Sequence, residues 1–154
     1  MIRAALAALV SIALCACASA PLNVPSRPSA LLQKIVVDNA VSMLGQPYRF
    51  GGDAAGGFDC SGLVVYAAAA AGIRVPRTAA DQWAGGTAVP RGGVQAGDLI
   101  FMHLAHKELH VGIAVGNERF IHAPSTGGYV RIDSLAAAPY AKGFIGARRI
   151  IAAP

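Results

Sequence analysis

At Gly97 the periodicity of the chain changes. Upstream, from Ser29 on, apolar residues recur at helical spacing between Gly- and Pro-rich breaks. Downstream, apolar residues alternate with small or polar ones in short runs, which is the pattern of half-buried strands. The run His110-Val111-Gly112-Ile113-Ala114-Val115-Gly116 alternates strictly. Val111, Ile113 and Val115 share one face, and His110, Gly112, Ala114 and Gly116 share the other. Helices first and strands afterwards, on mainly short connections, give an α+β fold with an antiparallel sheet. Five strands are expected, over 98–103, 110–116, 119–123, 129–133 and 144–151. A sixth would fit the same plan.

The helical half divides at its glycines and prolines. Ser29 can cap a helix that runs to Gly45, with Leu32, Ile35, Val36, Asn39, Ala40 and Met43 on one face. Residues 45–52 read as a loop. Its Tyr48 either packs under the loop or presents a phenol that donates a hydrogen bond. A second helix is expected from Asp59, as its cap, to Ala71, with Gly72 ending it. Thr78 can cap a short helix over TAADQWA, whose Trp83 is either core or a wall of a cleft. Residues 85–93 read as loop.

The second helix opens on Cys60. The first N–H groups of a helix are unpaired and carry partial positive charge. A thiol placed there is expected to ionise more easily and to act as a nucleophile. The alternative is a buried cysteine serving as a small hydrophobe. Asp59 is an unhelpful neighbour for a thiolate unless it faces elsewhere, and it could meet a cationic group of a substrate.

A thiol nucleophile needs a base, and the base needs an orienting group. His110 and His122 suit these roles, since a neutral His122 can accept the N–H of His110 and favour a thiolate–imidazolium pair. The small-residue face of 110–116 is expected to receive the Cys60 helix, so that His110 faces the thiol. The two histidines share a face only in one register. A plain two-residue turn at Asn117-Glu118 pairs 116 with 119 and turns His122 away. A three-residue loop pairs 115 with 119 and sets His122 opposite Gly112, and a bulge would bring the two histidines to one face as well.

Other features narrow the class. With 154 residues, one domain is expected. A content of 55% hydrophobic and 14% charged residues argues against disorder. The net charge of +5 is scattered, so no nucleic-acid partner is expected. His103, His106 and His110 form H-x2-H-x3-H, a possible zinc set, but two of them fall at strand ends and one in a loop, so no metal or other cofactor is expected.

Residues 1–16 have the layout of a signal peptide. Leu14-Cys15-Ala16-Cys17 resembles a bacterial lipobox, which makes Cys17 the expected lipidated residue. Ala18-Ser19-Ala20 offers ordinary cleavage instead, which would yield a secreted soluble protein. Residues 17–28 contain Pro21, Pro25 and Pro28 and read as an extended tether. The folded domain then covers 29–154. It holds one of the three cysteines, so no internal disulfide forms. Ala18 is not the aspartate that in lipoproteins generally signals inner-membrane retention. By that analogy the periplasmic face of the outer membrane is the expected location.

Taken in order, Pro47-Tyr48…Gly51-Gly52, Phe58-Asp59-Cys60-Ser61-Gly62-Leu63-Val64, Pro76-Arg77-Thr78, Gly97-Asp98-Leu99-Ile100-Phe101, His110-Val111-Gly112-Ile113 and Phe120-Ile121-His122-Ala123 resemble the NlpC-type cysteine peptidases. Ala147-Arg148-Arg149 is similar to the murein endopeptidase lipoproteins of that family. The resemblance implies a papain-like fold and action as a monomer on peptidoglycan peptides. It implies Cys60 as nucleophile, His110 as base and His122 as orienting residue. Tyr48 would help form the oxyanion or substrate pocket, and Asp59, Ser61 and Arg77 would line the cleft. A non-catalytic peptidoglycan-binding lipoprotein and a related acyltransferase are the alternatives.

Overall fold

The computed structural model describes residues 29–104, 109–125 and 127–151. The expected signal peptide, Cys17 and the Pro-rich tether lie outside the described residues, as does His106.

Helix α1 spans Ser29–Val41 and α2 spans Cys60–Ala70. They pack on each other, with Val36 and Ala40 of α1 buried in one cluster with Leu63, Val64 and Ala67 of α2. The small side chains of α2 allow this close approach. Asn39 donates to the Tyr66 carbonyl at 3.1 Å and ties the two helices together. The expected stop and start signals hold. Gly72 takes φ +76° just beyond α2, and Thr78 Oγ1 accepts the Asp81 N–H at the start of α3, Ala79–Ala84.

Between α1 and α2 stands a small hairpin of β1, Asp53–Ala54, and β2, Gly57–Phe58. The main sheet contains β3 (Thr87–Val89), β4 (Leu99–His103), β5 (Leu109–Gly116), β6 (Arg119–His122), β7 (Arg131–Ser134) and β8 (Phe144–Arg149). Its order is β3-β8-β4-β5-β6-β7, and every pairing is antiparallel. The expected loop over 85–93 therefore contains an edge strand. Three residues between Gly86 and Pro90 are too few to show an alternating pattern. Their partner, Ala147–Arg149, is remote in sequence. A last short helix, α4 at Tyr140–Gly143, precedes β8.

The sheet is buried on both faces. One face presents Leu99, Phe101, Val111, Ile113 and Ile121 to α1 and α2. The other presents Ile100, Met102, Ala114, Phe120 and Ala147, covered by Leu135 and Tyr140. The Cys60 helix thus packs on the Val111/Ile113 face, not on the small-residue face expected to receive it. Large aliphatic side chains bury more apolar area against a helix than glycine and alanine do, and this decides which face it takes.

The small face of β5 accommodates β6 instead. Asn117 and Glu118 take φ of 53° and 51°, as a two-residue hairpin turn with both central residues left-handed requires. Gly116 pairs with Arg119, yet Ala114 pairs with Phe120, so Val115 is an extra residue in a bulge. That bulge supplies the register that brings the two histidines to one face, with His122 opposite Gly112. A Cβ on Gly112 would lie 2.6 Å from Phe120 Cδ2, 2.9 Å from the Ile121 carbonyl oxygen and 3.2 Å from His122 Cβ. Gly112→Ala is expected to destabilise the fold by about 1–3 kcal/mol and to displace His122. A lowered Tm, with a greater proportional loss of Cys60 reactivity than of folded protein, checks this.

Candidate active site

The site is assembled where α2 begins. Asp59 caps the helix, its Oδ1 accepting the Gly62 N–H at 2.7 Å. Asp59 Oδ2 accepts the Gly51 N–H at 3.0 Å and so draws the 45–52 loop to the same point. Gly62 permits this approach, since a Cβ there would stand 2.0 Å from the Gly52 carbonyl oxygen. Arg77 closes the assembly as a fork, Nη1 to Asp59 Oδ1 at 2.9 Å and Nη2 to Asp59 Oδ2 at 2.7 Å. Arg77 Nη1 also reaches Ser61 Oγ at 3.0 Å. Burial by itself would raise the Asp59 carboxyl, but Arg77 and the Gly62 and Gly51 N–H groups outweigh it and hold it below the usual range. Asp59 therefore faces Arg77 and the helix cap, and its charge is largely offset before any substrate arrives.

A cleft of about 590 Å³ opens beside this cap. Tyr48, Asp59, Cys60, Ser61, Arg77 and His110 all line it, and Phe50 stands on its rim with 88% exposure. Tyr48 is held by backbone pairing, donating its N–H to the Gly128 carbonyl at 2.8 Å, and its side chain packs partly against the core. Burial, then the proximity of Cys60 and Asp59, raises its phenol, so Tyr48 keeps its proton and can donate it in a hydrogen bond. Trp83 is not part of this wall. It packs edge-on against Phe101, with the Arg148 guanidinium 3.7 Å over its ring.

The Cys60 thiol lies against the Val111 N–H at the start of β5. The expected acidifying effect of the helix terminus does not prevail. Burial pushes the thiol up and the Asp59 charge adds to this, while the N–H groups of Val111, Ser61 and Cys60 oppose both. Desolvation disfavours the thiolate more than the helix terminus favours it. The balance therefore favours the protonated thiol.

His110 and His122 are both buried, with His110 Nε2 2.8 Å from His122 Nδ1 and the rings nearly perpendicular at 80°. His122 is fully enclosed behind His110. Its Nε2 lies 2.9 Å from Asp133 Oδ2. Asp133 also accepts from Arg131 Nε at 2.8 Å and from the Tyr140 hydroxyl at 2.5 Å. Burial would raise Asp133, but Tyr140, His122 and Arg131 outweigh it and lower its carboxyl from 3.8 to about 2. Sequence reasoning missed Asp133, Arg131 and Tyr140. The available signal was an aspartate inside a strand, where Asp is disfavoured. His103 pairs with Leu109 while His110 pairs with Met102 on the sheet's other face, so these two histidines of the H-x2-H-x3-H run diverge.

A thiol at a helix terminus, set against a sheet carrying coupled histidines, defines the class of fold to which known proteins can be compared. The model of the NlpC/P60 family matches residues 45–149, and the chain belongs to that family. It is 39% identical over 124 residues to the murein DD-endopeptidase MepH of Escherichia coli, covering 77% of this chain and 46% of that protein. It is 37% identical to the gamma-D-glutamyl-L-lysine dipeptidyl-peptidase of Bacillus subtilis, covering 74% and 40%. Among solved structures, an NlpC/P60 family protein from Bacillus cereus superposes with a TM-score of 0.73 at 32% identity, over 78% of this chain and 40% of that one. The peptidoglycan hydrolase RipB from Mycobacterium tuberculosis gives 0.70 at 32%, over 80% and 67%. The chain spans about half or less of the length of these curated relatives.

Arg77 offsets Asp59 and itself stabilises a nearby negative charge on Cys60. Arg77→Met is therefore expected to raise the thiol further. One unit corresponds to a roughly tenfold smaller thiolate fraction at neutral pH. The rate of iodoacetamide alkylation at pH 7 should fall accordingly, and an unchanged rate would show that Asp59 does not act on the thiol.

Proposed function

We propose that this chain is a cysteine peptidase that hydrolyses amide bonds in peptidoglycan peptides, with Cys60 as nucleophile, His110 as base and His122 as the residue that orients it. The observation that carries the reading is the convergence of Cys60 and His110 on one cleft, with His122 hydrogen-bonded behind His110. The family and its murein-directed relatives support the substrate class.

The acyl transfer follows from the donors and acceptors. His110 Nε2 is engaged with His122, so His110 Nδ1 receives the Cys60 proton as sulfur bonds to the substrate carbonyl carbon. The Cys60 N–H and the Tyr48 hydroxyl stabilise the oxyanion. As the C–N bond breaks, His110 returns the proton to the leaving amine. Water then attacks the thioester, giving up a proton to His110, and the departing sulfur recovers it. Ser61 and the Asp59–Arg77 pair present polar groups to the peptide bound in the cleft. An amino group of the substrate would share Asp59 with Arg77. The D-alanyl–diaminopimelate cross-link is the favoured bond over the γ-D-glutamyl–diaminopimelate bond of the stem, from the murein-endopeptidase likeness of Ala147-Arg148-Arg149.

Cys60→Ala is expected to reduce release of cleaved muropeptides from purified peptidoglycan by about a thousandfold or more, while sedimentation with the polymer persists. Mass analysis of the products identifies the bond. Cleavage at the wild-type rate by the variant would refute the assignment. Transfer to an added amine in place of water would mark an acyltransferase.

Lipidation at Cys17 and attachment to the periplasmic face of the outer membrane form part of the same proposal, supported by the lipobox-like Leu14-Cys15-Ala16-Cys17. Cys17→Ala should abolish incorporation of labelled palmitate and release the protein from membranes. Labelling that survives this change would contradict the assignment.

A further inference from the structure

The geometry points to Asp133 as a positioning residue that sets the tautomers of both histidines and thereby presents His110 to Cys60 as a base. This inference rests on the cysteine-peptidase reading of the cleft and adds a fourth member behind it. A carboxylate can only accept hydrogen bonds. Asp133 Oδ2 lies 2.9 Å from His122 Nε2, so that nitrogen must carry a proton. In neutral His122 the other nitrogen, Nδ1, is then an acceptor. His110 Nε2 lies 2.8 Å from it and must be the donor. In neutral His110 the proton-accepting nitrogen is consequently Nδ1, the atom that exchanges a proton with the thiol. One ionised carboxylate thus determines the proton positions of two buried rings.

The surroundings are built to keep that carboxylate ionised and still. The Tyr140 hydroxyl donates to Asp133 Oδ2 at 2.5 Å and accepts from Arg131 Nη2 at 3.0 Å. Arg131 Nε adds a charged donor at 2.8 Å. His122 is gripped by ring contacts with Phe120, at 4.6 Å between centroids, and with Tyr140, at 5.4 Å. Without the carboxylate, nothing in this set of donors and acceptors favours the Nε2–H tautomer of His122 over the other. The alternative tautomer would place a proton on His122 Nδ1 and oblige His110 Nε2 to become the acceptor. His110 would then carry its own proton on Nδ1, the nitrogen needed as the base.

The test reads tautomers and thiol reactivity, neither of which needs a substrate. Nitrogen-15 NMR of the imidazoles in wild-type protein, which has four histidines, should show His122 as the Nε2–H form. The Nδ1–H form would overturn the inference. Asp133→Asn should remove the single-tautomer signature and slow alkylation of Cys60 by roughly ten- to a hundredfold, with a folded amide spectrum. A folded variant that keeps the wild-type tautomer and alkylation rate would also overturn it. Should the Asn variant fail to fold, the wild-type tautomer alone decides. Loss of muropeptide cleavage in every form of the protein would refute the peptidase reading and leave the tautomer result standing.

Discussion

The Asp59 carboxylate is the point on which the site depends. It accepts the Gly62 N–H as a helix cap, the Gly51 N–H from the loop before it, and both Nη atoms of Arg77 from the segment after α2. Three stretches of chain meet at this one charged group. A charge-assisted, forked pair is directional in a way that apolar packing is not. Its consequence is chemical as well as mechanical. Cys60 follows Asp59 directly, so whatever holds the carboxylate also places the thiol. The cost is a negative charge next to the thiol, and Arg77 offsets it.

The sheet then does two jobs on its two faces. Val111 and Ile113 seat α2, which brings the thiol to the start of β5. His110, on the alternate face, belongs to the layer of Met102, Phe120 and His122. Cys60 and His110 therefore come from opposite sides of one strand, and both line the cleft at its end. The bulge at Val115 makes this possible, because without it His122 would turn to the helix face and leave His110 without its partner. Gly112 completes the arrangement by leaving room for the His122 and Phe120 side chains.

Much of this was legible from local pattern. The positions of α1, α2 and α3, the Asp59 and Thr78 caps and the strands of the second half follow from period and punctuation. The need for a longer loop or a bulge between His110 and His122 followed from parity alone. Three features were not legible. Edge strand β3 is three residues long and pairs with a segment near the C-terminus. The face that receives α2 depends on a comparison of buried areas that alternation does not make. The thiol's raised pKa depends on its burial, which a position at a helix start does not reveal.

The sequence by itself determined the α+β order, the helix that opens on Cys60, and the parity that His110 and His122 must satisfy to share a face. These are local properties, set by side-chain period, capping and turn geometry. The tertiary structure alone decided that Asp133 stands behind His122. The β6–β7 connection is not a tight turn, so its length does not specify which residues of β7 oppose β6. Only the formed sheet sets Asp133 opposite Phe120 and diagonal to His122, with Tyr140 of α4 folded over both. A hydrogen-bonded chain through three strands is a property of their register, and register between distant segments is established only when the whole sheet assembles.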